Sequence, residues 1–152
     1  TGEMAQQLAK ALISKGAAST IVSSRHAARA VEMAKELGGK ALTYDAYETE
    51  IKNTDIVITS TLAPETLIKE ARVRSWMRDR HQKPLFLIDI AVPRNIEPLV
   101  EKIDNVYLYN IDDLQQIANK NRTLRESELE RCSHLITHQT QHFMDWLWKE
   151  FQ

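Results

Sequence analysis

Apolar residues recur along this chain in two alternating periods. Between residues 3 and 15 they fall at helical spacing, with Met4, Leu8 and Leu12 joined by the small Ala5, Ala9 and Ala11, and Gly16 is placed to stop the helix. Residues 19–24, "STIVSS", are a short β-branched run of strand character. The helical period returns in "AARAVEMAKELGG", where Ala30, Met33, Ala34 and Leu37 share one side and Gly38-Gly39 ends the pattern. A short strand, "KALTY", and a short helix or turn over residues 47–52 follow. In "TDIVITST" the apolar Ile56, Val57 and Ile58 are consecutive, which suits a parallel strand covered on both faces. A helix is expected within residues 66–80, then the strongest strand of the chain in "PLFLIDIAVPR", ended by Pro93, and one more strand in "NVYLYNI".

Strands alternating with helices predict a doubly wound α/β domain of Rossmann type, with a parallel sheet, over residues 1–111. From Asp112 onward the chain contains neither Gly nor Pro, and Leu114, Ile117, Leu124, Leu129, Cys132, Leu135 or Ile136, Phe143 and Leu147 recur at roughly helical spacing. Residues 112–152 therefore predict a long C-terminal α-helix, on the order of 55 Å at ~1.5 Å per residue. Asn121, Glu128 and Gln139 interrupt its stripe, so it makes a weak coiled-coil seam, while Trp146, Trp148 and Phe151 give its end a large apolar payload. A helix of that length is expected to project and seek another helix; folding back over its own domain is the alternative.

Composition narrows the function classes. The 152 residues allow one compact domain and one further element, and 43% hydrophobic residues suffice for a core. Twenty Lys and Arg against 21 Asp and Glu leave a net charge of −1, so no global basic field advertises nucleic acid. A single cysteine, Cys132, excludes an internal disulfide framework and fits a reducing compartment. No apolar run approaches the ~18 residues of a membrane span, and no charged region followed by an apolar targeting core opens the chain. The expected location is the cytoplasm.

Candidate chemistry gathers at the predicted strand ends. "TGEMA" reads as the second half of a dinucleotide-binding turn, with Gly2 and Ala5 at the spacing of its second and third small positions; Thr1, Glu3 and Met4 complete the stretch. In such a turn the exposed N–H groups at the helix start hold a pyrophosphate, helped by the helix dipole. An ordinary helix N-terminus is the bland reading. About 20 residues on, where NAD-dependent enzymes place a carboxylate for the ribose hydroxyls, this chain has Ser24, Arg25 and His26 instead. Arg25 can pair with a 2′-phosphate, with Ser24 and His26 as supporting donors, so the site should prefer NADP(H) over NAD(H). A solvated surface arginine is the alternative. Ser60, Thr61, Leu62, Ala63 and Pro64 follow the next strand and should line the crevice beyond the strand ends, unless they form a plain turn. Asp89, Pro93 and Arg94 lie at the same edge, to shape a mouth or dock a neighbouring domain, and Asp89 can equally cap a turn.

Two other features carry less. His134, His138 and His142 share one face of the final helix at steps of four. Imidazoles in that pattern suit a transition metal, yet no acidic or thiolate ligand completes a site in phase, so a solvated or interfacial face is expected and no metal. No catalytic set is visible, and Cys132, away from the strand ends, has no reason to be an activated nucleophile.

The stretches "TGEMAQQLAKAL", "VSSRHAARAVEMAKELGG", "DIVITSTLAP", "PLFLIDIAVPRNIEP" and "NVYLYNIDDLQ" together resemble the middle, NADPH-binding domain of glutamyl-tRNA reductase, followed by the start of its helical dimerisation domain. The last two are the family-specific ones, and the matches extend over about the first 120 residues. The family's turn usually reads Gly-Ala-Gly-Glu-Met-Gly, against Thr1-Gly2-Glu3-Met4-Ala5 here; Arg25 stands where the family has the arginine of Asn-Arg-Thr, and Leu62 where it often has Gly. The resemblance implies NADPH as cofactor and Thr1–Ala5, Ser24–His26, Ser60, Thr61, Ala63 and Pro64 as the residues around it. It also implies reduction of glutamyl-tRNA to glutamate-1-semialdehyde, the entry to tetrapyrrole synthesis, through a thioester on a cysteine of an N-terminal catalytic domain that this chain lacks. Cys132 does not match that cysteine. A fragment inactive alone is expected, meeting glutamyl-tRNA only through the absent domain and pairing as a homodimer through the C-terminal helix. Another NADP-binding oxidoreductase, shikimate-dehydrogenase-like or sirohaem-forming, would share the turn and Arg25 but not the two family-specific stretches. A helix-mediated assembly module with a vestigial nucleotide site is the non-enzymatic alternative.

One structural expectation follows from the strand order 3-2-1-4-5-6 of such sheets. The first strand is central, between "STIVSS" and "DIVITST", and would precede Thr1. Without it the flanking strands leave unpaired backbone groups in the interior, so either further residues or another element is expected to fill the gap.

Overall fold

A computed structural model describes residues 2–151 as two compact units that divide between Ile111 and Asp112. In the first unit α1 (Glu3–Ser14) leads to β1 (Ile21–Ser24), α2 (Ala27–Glu36) and β2 (Lys40–Thr43). A 3-10 segment (Tyr44–Asn53) connects to β3 (Ile56–Thr59), α3 (Glu70–Asp79) and β4 (Leu85–Asp89), and a second 3-10 segment (Pro98–Lys102) to β5 (Val106–Asn110). All strand pairs are parallel, each joined by a crossover, as the alternating pattern predicts.

The helices stop where the backbone can turn left-handed. Gly16 follows α1 at φ 102°, with Ala17 N–H donating to Leu12 O at 3.1 Å and Gly16 N–H to Ile13 O at 3.0 Å. Gly38 ends α2 in the same way at φ 64°. The next residue, Gly39, is glycine for a different reason: a Cβ there would lie 2.4 Å from the Thr20 carbonyl oxygen, against which β2 starts.

The strands do not form one sheet. β1 pairs only with β2, in the register Ile21–Lys40 to Ser24–Thr43, while β3, β4 and β5 form a second sheet in that order. Among the described residues no strand lies between β1 and β3. In its place is a cavity of about 490 Å3, lined by β1 and β3 and by Ala5, Ala9 and Leu12 of α1.

The core is divided as well. Beneath the β3–β5 sheet Val73, Trp76 and Met77 of α3 meet Leu85, Leu87 and Val106, and Ile51, Ile68, Ile96, Val100 and Ile103 close the cluster from the connections. Beneath the β1–β2 pair the buried residues are Ala9, Val22, Ala30, Ala34 and Leu37. At about 1.5–3 kcal/mol per fully buried large apolar side chain, the first cluster supplies most of the hydrophobic stabilisation.

In α1 the buried residues are Ala5 and Ala9, while Met4 and Ala11 face solvent. One sequence expectation is corrected here. The run Ile56-Val57-Ile58 is not covered on both faces. Ile56, Phe86 and Tyr107 stand in register across three strands, all exposed, with the Phe86 and Tyr107 rings stacked 4.9 Å apart. α3 and the two 3-10 segments cover only the opposite face.

The second unit is α4 (Ile111–Glu150), 40 residues long. None of its residues is buried, and Ile117, Leu124, Leu135, Phe143, Trp146 and Trp148 are exposed along it. No helix among the described residues is long and apolar enough to cross a membrane.

Candidate functional site

The chain brings three predicted segments to the carboxyl ends of β1 and β3. The first is the start of α1. Gly2 is its N-cap, extended at φ −102° and ψ 167°, with no side chain to cap the helix; Gln6 N–H donates to Gly2 O at 3.2 Å and closes the first turn. The N–H groups of Glu3, Met4 and Ala5 thus have no acceptor within the helix. The Glu3 carboxylate is drawn along the exposed flank, accepting from Gln7 Nε2 at 3.4 Å. Buried Ala5 sets the close packing of this turn. Thr1 lies outside the described residues.

The second segment follows β3. A Cβ on Gly2 would sit 3.3 Å from Ser60 Oγ, so turn and crevice loop touch at the one residue without a side chain. Ala5, Ser60 and Thr61 line the same cavity at its strand-end mouth. Thr61 directs both its hydrogens to Asn95: its N–H reaches Asn95 Oδ1 at 3.2 Å and its hydroxyl the same atom at 2.8 Å, while its Oγ1 accepts from Ala63 N–H at 3.2 Å. Ala63 is buried, Pro64 exposed, and Leu62 between the anchored residues is 88% exposed.

The third segment ends β1. Ser24 Oγ accepts from His26 N–H at 3.2 Å, fixing the turn into α2, whose N-cap is His26. The first turn of α2 holds no acidic residue. Arg25 is exposed and makes no hydrogen bond or ion pair among the described residues. An unpaired guanidinium beside a helix N-terminus is suited to an anion.

Asp89 proves to be a turn clamp. Almost wholly buried, its Oδ1 accepts from Thr59 Oγ1 at 2.9 Å and Ala91 N–H at 3.1 Å, and its Oδ2 from Asn95 N–H at 2.7 Å and Ile96 N–H at 2.9 Å. Arg94 donates to the carbonyls of Asp89 and Ala91 at 3.3 and 3.2 Å. Both residues thus fold the loop after β4, whose Val92–Pro93 bond is cis.

Sequence reasoning missed Asn95 and Arg80. Arg80, 2% exposed, donates to the carbonyls of Ile51, Thr54 and Pro84 and lies 3.8 Å from Asp55. Burial pushes its pKa down from the usual arginine value, and the Asp55 carboxylate opposes that shift. Nothing in the local pattern marks either residue; both act on backbone groups distant in sequence. His134, His138, His142 and Cys132 are all exposed on α4.

The parallel topology, with the helix start touching the loop after β3 and Arg25 at the end of β1, is that of a nucleotide-binding α/β domain of dehydrogenase type. The chain belongs to the family described as Shikimate / quinate 5-dehydrogenase, matched over residues 1–117. Among known proteins it is similar to the glutamyl-tRNA reductase of Syntrophobacter fumaroxidans, 47% identical over 96% of this chain and 32% of that protein. It is likewise similar to that of Syntrophus aciditrophicus, at 42% identity over 96% of this chain and 34% of the other. Glutamyl-tRNA reductase from Methanopyrus kandleri superposes with a TM-score of 0.79 at 38% identity, over 86% of this chain and 33% of that one. The nucleotide-binding domain of the Thermoplasma volcanium reductase, at TM-score 0.59 and 23% identity, covers 82% of this chain and 80% of its own, and attests the fold alone. The likeness to glutamyl-tRNA reductase expected from the sequence is thus met, and the chain spans about a third of the length of the curated relatives it matches.

Proposed function

We propose that this chain binds NADPH as the nucleotide-binding part of an oxidoreductase that reduces glutamyl-tRNA to glutamate-1-semialdehyde for tetrapyrrole synthesis. The observation that carries the cofactor reading is Arg25, exposed at the end of β1 and without an acidic partner among the described residues. Its guanidinium supplies the charge-assisted bonds that a 2′-phosphate requires and a ribose hydroxyl does not. The donor set fits the rest of the nucleotide: the uncapped start of α1 offers the N–H groups of Glu3, Met4 and Ala5 to a pyrophosphate, and Gly2 keeps the approach free of a side chain. Ser24 and His26 flank the 2′-phosphate in this reading, and Ser60, Thr61, Ala63 and Pro64 wall the crevice. When bound, NADPH supplies the hydride; the chain's own residues bind and orient it.

The relatives named above favour this reading over a dehydrogenase acting on shikimate. Cys132, exposed on α4, is no candidate to activate glutamyl-tRNA, and the chain by itself is read as inactive toward it. The exposed apolar residues of α4 support pairing of two copies through that helix, and the single cysteine supports a cytoplasmic setting. Titration of NADPH and NADH by calorimetry tests the reading: NADPH is expected to bind at least ~10-fold tighter, the worth of one charge-assisted contact. Equal affinities, or none, favour an assembly module with a vestigial site, and turnover of glutamyl-tRNA by the chain alone refutes the assignment of inactivity.

A further inference from the structure

The loop that carries Ser60 to Gly2 is held from behind. Asn95 is fully buried, and its Oδ1 receives both hydrogens of Thr61. The amide cannot be reversed, because Thr61 N–H needs an acceptor and Nδ2 is a donor. Asn95 O in turn accepts from Leu67 N–H at 2.8 Å and Ile68 N–H at 3.0 Å, so one residue fixes both the start and the end of the segment between β3 and α3. Glu97 Oε2 extends the hold to Glu70 N–H, in the first turn of α3. Asn95 is itself fixed from the other side, its N–H bound to the buried Asp89 carboxylate that also grips Thr59.

Asn95 Nδ2 is buried with no partner among the described residues. An unsatisfied buried donor works against stability. A side chain serving only to fill space there would be better apolar, so the reason for the amide lies in what Oδ1 does for Thr61.

We infer that Asn95 is a positioning residue for nucleotide binding: acting through Thr61, it holds Ser60 against Gly2 and so keeps the crevice wall in register with the start of α1. The inference rests on the NADPH reading of that crevice. Asn95 does not touch the nucleotide, and the part of the nucleotide it serves is the one NADPH and NADH share, unlike the 2′-phosphate that Arg25 serves.

The experiment compares the chain with Asn95→Ala, and with Thr61→Val and Thr61→Ser, in nucleotide titration and in residue-resolved amide exchange without nucleotide. Asn95→Ala and Thr61→Val are expected to weaken NADPH and NADH by the same factor, about tenfold for a lost net hydrogen bond of about 1.4 kcal/mol. Thr61→Ser, which keeps the hydroxyl, should restore binding. In free Asn95→Ala the amides of Thr61 and Ala63 should lose protection, and in free Thr61→Val that of Ala63, while those of β4 and β5 keep theirs. Thr61→Val serves if Asn95→Ala fails to fold. Unchanged affinity for both nucleotides, or unchanged protection at these amides, overturns the inference, as does a lower melting temperature with binding intact. If the unaltered chain binds neither nucleotide, the NADPH reading fails and takes the role in binding with it, while loss of binding only in the variants leaves that reading standing.

Discussion

Gly2 and Ser60 meet so closely that a Cβ on the glycine would lie 3.3 Å from the serine hydroxyl oxygen. The Ser60 hydroxyl must give a little and alanine caps a helix less well than glycine, so Gly2→Ala is expected to cost stability, though no more than about 1 kcal/mol. The methyl would nonetheless occupy the approach through which a pyrophosphate reaches the backbone. NADPH affinity should fall by about tenfold in Gly2→Ala, and further in Gly2→Val. Calorimetric titration checks this, and a Gly2→Val chain that binds as well as the unaltered one removes Gly2 from the site.

Arg25 has no partner to lose among the described residues, so Arg25→Ala should leave thermal stability where it was. It should weaken NADPH by about 10- to 100-fold, the worth of hydrogen bonds to a charged group, and leave NADH nearly unaffected. Because the contact is exposed, the NADPH preference of the unaltered chain should also shrink as salt rises. Equal losses for the two nucleotides would take Arg25 out of the site.

Arg80 is the opposite kind of arginine. Its guanidinium donates to three carbonyls, on Ile51, Thr54 and Pro84, of which Ile51 O also accepts from Thr54 N–H at 3.1 Å. Arg80→Met keeps much of the bulk but removes all three bonds and leaves the part-buried Thr54 and Pro84 carbonyls without this donor, and is expected to cost about 3 kcal/mol. Chemical denaturation followed by circular dichroism reads the loss; a change below ~1 kcal/mol would mean that water replaces the guanidinium.

The contrast between these arginines explains what was legible in the sequence. Strands β1 to β5 and helices α1 to α4 stand where apolar period and Gly-Gly or Pro punctuation put them, because those signals are local. Arg25 could be singled out by its distance from the turn, a spacing the βα unit imposes. Arg80 and Asn95 could not, since each is defined by backbone groups that only the folded chain brings near, and of Asp89 the turn-capping role could be read but not its bond to Thr59. The apolar run in β3 misled for a related reason: consecutive Ile56, Val57 and Ile58 suggest burial without saying what provides it, and the Ile56 row stays more than a third exposed.

Uneven packing should appear as uneven stability. The cluster under β1 and β2 contains three alanines with Val22 and Leu37, against the large side chains gathered under β4 and β5. Amides of β1 and β2 are therefore expected to exchange through local opening, and those of β4 and β5 only near the global unfolding limit. Denaturant-dependent hydrogen exchange separates the two. One common opening energy would show that α1, tied to α2 by Lys10 and Glu36 at 3.6 Å, binds the halves more firmly than their cores suggest.

The cavity between the sheets has the largest consequence. At ~24 cal/mol per Å3, about 490 Å3 of dry void would cost on the order of 10 kcal/mol, comparable with the whole stability of a domain. The space must therefore be wet or shared with another segment. Its walls specify what fits: among the described residues β1 and β3 are each paired on one side, and Ala5, Ala9 and Leu12 offer an apolar roof. A short extended segment of β-branched apolar residues, parallel to both strands, would satisfy two backbone ladders and bury both its faces, since neighbouring strands need only ~4.8 Å each. Fusing about five such residues and a short glycine turn to the amino end is expected to raise the melting temperature by about 10 °C or more, and to slow exchange in β1 and β3 together. A polar segment of equal length should do neither. If both fusions melt alike, the sheets are not complementary edges of one interrupted sheet, and the cavity is only a wet cleft.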